Sequence, residues 1–185
     1  MTSPAREIVR TFFGEKSTSH HETINLKTKG EKVKIIVLYC CKKYNTLDLS
    51  FKVNHLAEDT SSEIYVYGIL MDSAKKSCRL EINFQNGSSG SKGIEREEVF
   101  LLSDNAKNIS IPTINCSEKD VKGSHGASVG HIDKTQKDYL ISRGLPESQA
   151  KKLLISSLLK KPLQKISDDS LRRNIENKLT AQDSI

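Results

Sequence analysis

Four groups of residues have types and spacings that could do chemistry. His125 lies in Gly123-Ser124-His125-Gly126, where glycines leave the imidazole unshielded and Asp120 stands near it in sequence. A neutral imidazole is a good ligand for iron or zinc. On the residues alone, a histidine hydrogen-bonded within a turn is the plainer reading. Gly126-Ala127-Ser128-Val129-Gly130 matches the G-x-S-x-G of a hydrolase nucleophile elbow. Such an elbow needs a strand, a sharp turn and a helix in a large α/β sheet, with an acid and then a histidine later in the chain. The one later histidine is His131, with no acid between, so an esterase acting through Ser128 is disfavoured. Gly87-Ser88-Ser89-Gly90-Ser91-Lys92-Gly93 has the look of a phosphate loop but not its spacing, which puts four residues between the glycines and Ser or Thr after the lysine. A hairpin tip is expected there instead. Cys40, Cys41, Cys78 and Cys116 form no C-x-x-C pair, and strand neighbours such as Cys40 and Cys41 point to opposite faces.

The chain around these groups has 185 residues, 36% of them apolar and 28% charged. That composition is ordinary for one globular domain with a small appendage. Met1 to Arg10 hold no apolar core or cleavage site of a secretory signal. The longest apolar run, Ile35 to Cys41, is far shorter than the roughly 20 residues of a membrane span. A soluble, cytoplasmic protein with reduced thiols is the expectation. The net charge of +6 is uneven: residues 1–133 hold 18 basic and 17 acidic side chains, residues 134–185 hold 11 and 6. The basic segment has one aromatic residue, Tyr139, and no nucleic-acid motif, so a solvated helix surface or an acidic protein partner fits it better than nucleic acid, and no membrane partner is expected.

From Ile24 to about Ile114 the apolar period is two. Leu47, Leu49, Phe51, Val53 and His55 alternate with polar residues, and similar runs occur at Val33–Tyr39, Ile64–Met71, Leu80–Phe84 and Glu98–Leu102. The strand starts are irregularly spaced, and no simple repeat shows. After His131 the period becomes helical. Asp133 can cap a first helix that Gly144 stops. Pro146 opens a second with the stripe Ala150, Leu153, Leu154 and Leu158, ended by Pro162. A third begins near Ser167 with Leu171, Ile175 and Leu179 on one face and Arg172 and Arg173 exposed. At the other end, Ser3-Pro4 and the apolar set Ile8, Val9, Phe12 and Phe13 predict a helix stopped by Gly14 that covers one end of the strands. The expected organisation is a capping segment over 1–20, a β core over 21–131 and a helical domain over 132–185. Strands followed by helices exclude a doubly wound sheet and leave a sandwich, a barrel or a solenoid.

The run Ser110-Ile111-Pro112-Thr113-Ile114, the run Asp120 to Gly130, and Asp133 resemble the signature of the SufB/SufD family of iron-sulfur cluster assembly scaffolds. Tyr139-Leu140-Ile141-Ser142-Arg143-Gly144-Leu145, Ala150 and Leu171-Arg172-Arg173-Asn174-Ile175 continue the likeness in order. Upstream, His55 to Ser62 and Glu97 to Ser103 resemble turns and strands of the same core. The resemblance implies a mainly β fold, a right-handed parallel β-helix followed by a small C-terminal helical domain. It implies a non-enzymatic scaffold that pairs through its β-helix with a SufB-like subunit or with itself and docks a SufC-type ABC ATPase through its helices. Docking would fall to Tyr139, Arg143, Lys151, Lys152, Arg172 and Arg173, with the Leu153, Leu154 and Leu158 face packed on the β-helix end. Ser124-His125-Gly126 resembles the SufD side of the family, which places His125 at the subunit interface with Cys116 as a loose second donor. Gly123 stands where some SufD proteins carry cysteine, and no counterpart of the sulfur-receiving cysteine of SufB is present. No cofactor is expected to be held tightly by this chain alone, a cluster being held only transiently within the complex. The alternative is a direct metal or cluster binder using His125 and thiols. The chain is also a short form, whose open coil end must be covered by the Ile8 to Phe13 helix or by a partner.

Overall fold

The computed structural model describes residues 5–13, 16–131 and 134–181. Nine strands come first: β1 (Arg6–Phe13), β2 (Thr18–Leu26), β3 (Lys32–Cys41), β4 (Thr46–His55), β5 (Ser61–Leu70), β6 (Lys75–Phe84), β7 (Lys92–Leu101), β8 (Lys107–Cys116) and β9 (Lys122–His131). Three helices follow: α1 (Lys134–Ser142), α2 (Glu147–Leu163) and α3 (Asp169–Ala181). Odd strands build one parallel sheet in the order β1-β3-β5-β7-β9, and even strands build a second in the order β2-β4-β6-β8. The chain therefore winds back and forth between two sheets as a parallel β-solenoid, two strands to a coil. Four coils are complete, and β9 begins a fifth.

Three devices set the stacking. Inward side chains form one dry column that includes Val33, Ile35, Val37, Leu49, Phe51, Val53, Ile64, Val66, Leu80 and Ile82. Left-handed residues turn the corners: Gly30 (φ 74), Asp59 (φ 58) and Gly90 (φ 75) lie on successive coils, tied by Gly30 N–H to the Glu58 carbonyl and Asp59 N–H to the Ser89 carbonyl. Finally, an asparagine ladder runs up the outer face of the even sheet. Asn54 donates to Asn25 (2.7 Å), Asn83 to Asn54 (2.8 Å) and Asn115 to Asn83 (2.7 Å). Val33 pairs with Ser62 and Leu47 with Lys76, 29 residues on in each case, while Lys75 pairs with Lys107, 32 residues on. A repeat is present, but its length drifts at the corners, which hides it in the sequence.

The two sheets differ in covering. The even sheet packs only inward, so β4 alternates cleanly between buried and exposed. The odd sheet is also covered outside. Ile36, Leu38 and Tyr67 pack with Leu163, Ile166 and Ile175, and Cys40, Ile69 and Met71 pack with Ile155 and Leu159. Strands buried on both faces read as continuous apolar runs, which explains Ile35 to Cys41.

This arrangement corrects three expectations. Arg6–Phe13 is a strand and not a helix, and with Thr18–Leu26 it forms the first coil in place of a separate helical cap. A spacing of four fits period two as well as a helical turn: Ile8 and Phe12 face inward beside Ile35 and Tyr39, while Val9 and Phe13 face the helices. Ser3, Pro4, Gly14 and Asp133 fall outside the described residues. Second, the helices lie on the outer face of the odd sheet and do not seal the coil end. The buried face of α2 is Ala150, Ile155, Leu159 and Leu163, whereas Leu153 is 49% exposed, Leu154 turns towards α1 and Leu158 is only partly buried. Since the adjacent apolar residues Leu153-Leu154-Ile155 and Leu158-Leu159 allow more than one stripe, periodicity could not choose the phase of α2. Third, Gly87 to Gly93 is a coil corner between parallel strands, not a hairpin tip.

Candidate functional site

Register decides which residues of the final coil face the lumen. In β7 the inward residues are Gly93, Glu95, Glu97, Val99 and Leu101, and their partners in β9 are Gly123, His125, Ala127, Val129 and His131. The small residues have packing reasons. A Cβ at Gly123 would press on Ile114 at 3.0 Å, and one at Gly130 on Phe100 at 3.0 Å. Among the described residues no further strand pairs with β9 on its far side, so these inward residues form an open face. His125 is exposed there, and Val129 is 50% exposed.

Beneath this face the lumen turns polar. Lys76 is buried and donates to Glu97, and also to Asn108 (2.9 Å) and Ser110 (3.4 Å), so its ammonium has three partners from two neighbouring strands. Glu95, one inward position before Glu97 and the register partner of His125, is 0% exposed, and neither carboxylate oxygen has a hydrogen-bond partner. Burial pushes its carboxyl up to about 8; the Thr113 backbone N–H, near the carboxyl but without the geometry of a hydrogen bond, pulls weakly the other way. The hydroxyl of Tyr39, whose ring lies in the same interior 5.9 Å from the Lys76 ammonium, is likewise buried without a partner. Sequence reading passed over Lys76, Glu95 and Glu97. Their signal was parity, since each falls in phase with inward residues such as Cys78, Leu80, Gly93 and Val99.

The other sequence candidates separate. Cys116 ends β8 as an exposed thiol, whereas Cys40, Cys41 and Cys78 are buried, with burial pushing Cys40 and Cys78 up to about 12. Among the described residues no group of three or more His, Cys, Asp or Glu side chains could hold a metal ion. Asp120 does not partner His125 but accepts from Ser89 (3.1 Å) on the coil below, and its carbonyl accepts from Gly90 N–H (2.7 Å). Glu118 takes the Gly87 N–H (3.1 Å), so a carboxylate and backbone carbonyls occupy the amides that a phosphate would need. Ser128 lies in the middle of β9 with its hydroxyl directed to the Glu97 carbonyl (3.5 Å). The G-x-S-x-G run thus has neither the sharp turn nor the helix of an elbow. His55, at the start of the upstream likeness, is sealed inside, bonded to Thr60 (2.7 Å) and Ser62 (2.8 Å), and burial lowers it to about 4.

On the helical side, Tyr139 is 56% exposed with the Arg143 guanidinium 5.1 Å above its ring. Between α1 and α2 runs an apolar groove of about 500 Å³ whose lining includes Tyr139, Leu140, Leu153 and Leu154. Lys151 lines a second, more polar cleft of about 600 Å³ together with Asp104, His131, Lys137 and Glu147. Lys152 and Arg173 are exposed, whereas Arg172 is drawn to Asp169 (2.6 Å) on α3. No described helix is long and apolar enough to cross a membrane.

Comparison with known proteins gives a consistent result. The family described as "SUF system FeS cluster assembly, SufBD core domain" matches residues 6–158. The iron-sulfur cluster assembly protein SufD of Bacillus subtilis is 26% identical over 130 residues, 70% of this chain and 30% of that protein. A SufBD family protein of Mycobacterium leprae is 24% identical over 154 residues, 83% of this chain and 18% of its own length. The SufB protein of Bacillus subtilis is 23% identical over 146 residues, 79% of this chain and 31% of that protein. The chain therefore spans less than a third of each of these relatives.

Proposed function

This chain belongs to the SufBD family of iron-sulfur cluster assembly proteins, and from that membership we propose that it is a SufD-like scaffold that joins two partners and runs no reaction of its own. One observation carries this reading. Tyr44 apart, the exposed large apolar side chains among the described residues fall on three places: Val129 on the open face of β9, Ile109 and Ile111 on the outer face of β8, and Tyr139, Ile141 and Leu153 on α1 and α2. Clustered apolar exposure marks interaction surfaces. The open coil face is the side for a SufB-like subunit or a second copy, since stacking there would cover Val129 and continue both sheets. The α1–α2 groove, lined by Tyr139, Leu140, Leu153 and Leu154, is the side for a SufC-type ABC ATPase, and it can relay movement because α2 packs on both β5 and α3.

The test is co-expression with a SufB-type subunit and a SufC-type ATPase, followed by mass measurement of the purified assembly. Association is expected with both partners. Val129→Asp should remove the first and Leu153→Asp the second, each leaving the other intact. Failure of the unaltered chain to associate with either partner or with itself, with or without ATP, would overturn the scaffold reading. The exposure of His125 and Cys116 favours a second reading, direct binding of a metal or cluster. Anaerobic reconstitution of the lone chain separates the two, because a scaffold that builds its cluster only in the complex stays colourless.

A further inference from the structure

We infer that Glu95 is the positioning residue of His125: its enclosed carboxyl, one coil beneath the imidazole and without a partner in the structure, takes one ring nitrogen when the exposed ring turns inward and thereby presents the other at the open face. The inference rests on the reading that His125 acts at that face. Parallel strands lie about 4.8 Å apart, and Glu95 and His125 are register partners on the inward side. Among the described residues no strand stacks beyond β9, so the two side chains form the last step of the lumen column. An unsatisfied buried carboxyl is costly and calls for an explanation. Here the neighbouring acid Glu97 has Lys76, while both oxygens of Glu95 have no partner.

The stacking pairs around Glu95 narrow the choice. On β7 and β9 the inward pairs are Gly93 with Gly123, Glu97 with Ala127, Val99 with Val129 and Leu101 with His131. Only at Glu95 does a buried polar side chain lie under a ring that can donate or accept a hydrogen bond. Glycine and alanine as the adjacent inward residues of β9 leave the exposed ring room to turn. Either form of the carboxyl does the work, since a carboxylate accepts the ring N–H and a carboxylic acid donates its O–H to the bare nitrogen. A histidine that serves as a ligand commonly has its second nitrogen fixed by such a carboxylate.

The test is long-range proton–nitrogen NMR of the histidine rings in the full-length, 15N-labelled lone chain, with His125→Asn to assign the signal. One tautomer is expected for His125 in the unaltered chain and in Glu95→Gln, whose amide still bonds. In Glu95→Leu that preference should be lost, leaving the averaged signal of a solvent-exposed imidazole. An averaged His125 in the unaltered chain, or the same single tautomer in Glu95→Leu, would overturn the inference. Should Glu95→Leu not fold, the unaltered chain and Glu95→Gln still decide. The readout needs neither partner nor cluster, so failure of the scaffold reading in co-expression is seen separately from failure here.

Discussion

The first and last coils of the solenoid treat their lumen charges in opposite ways. In the first coil Arg10 reaches across from the odd sheet to Glu22 of the even sheet in a two-pronged pair, Nε to Oε2 at 3.0 Å and a terminal nitrogen to Oε1 at 2.8 Å. His20 meets Glu22 at 3.2 Å, its ring between Phe12 and Phe51 with centroids 5.4 and 5.5 Å away. Every charge there is matched within the coil. The final coil offers Gly123, His125, Ala127 and Val129 instead, with Glu95 unmatched below. A coil that satisfies its own lumen leaves little unpaired charge at its end, whereas one that leaves small residues and an unmatched acid has unused packing and hydrogen-bonding capacity there.

The sharpest way to break the contrast is to remove the one charge pair that the final coils share. Lys76 and Glu97 are almost wholly enclosed, and taking one partner from a buried pair leaves an uncompensated charge, at a cost of about 3–5 kcal/mol. Lys76→Met should therefore lower the urea midpoint severely. The double variant with Glu97→Leu should recover most of the loss, because the strain lies in the orphaned charge and not in the missing contact. Equal destabilisation of single and double variants would show that Lys76 matters for packing alone.

A smaller effect tests the unmatched acid. Glu95 has its folded value raised to about 8 from an ordinary 4.5. Between those values the folded chain keeps a proton that the unfolded chain has released, so stability falls as pH rises through that window. His55 acts with the opposite sign. Its folded value is lowered to about 4 from 6.5, so its contribution is present above 6.5 and is lost as pH falls towards 4. The two oppose each other below 6.5, and above it the Glu95 slope stands clear of His55. At up to 1.36 kcal/mol per pH unit for one proton, about 1–2 kcal/mol should disappear between pH 6.5 and 8. Denaturant midpoints of Glu95→Gln measured across that interval should be flat by comparison, and an unchanged slope would sink the assignment.

How far the sequence carried the reading follows from the same geometry. β4 was plain because one of its faces is bare and the alternation survives. β1 was misread because both faces are covered, and its doublets Ile8-Val9 and Phe12-Phe13 imitate a helix. In α2 the adjacent apolar residues Leu153-Leu154-Ile155 and Leu158-Leu159 spread over several faces, so only the partner sheet decides that Ile155 and Leu159 point in while Leu153 points out. His125 was found through resemblance, but its lumen-facing direction needed the register with Glu95. Lys76, Glu95 and Glu97 looked like ordinary surface charges, and only the parity of an assembled coil reveals a charge placed on the wrong side of a strand.

The smallest effect belongs to the first coil. Arg10 and Glu22 keep 39% and 17% of their side-chain surface exposed, so water screens their attraction, and exposed pairs are worth about 0.2–1 kcal/mol. The two-pronged geometry and the cross-lumen span put this pair near the top of that range. A double-mutant cycle of Arg10→Ala and Glu22→Gln, read by denaturant unfolding at low and high salt, should give a coupling of about 1 kcal/mol that shrinks as salt rises. If the coupling is absent at low salt, the first coil is not closed by its charges, and Phe12, His20 and Phe51 alone hold it together. The difference between the two coils would then lie in side-chain size and no longer in matched against unmatched charge.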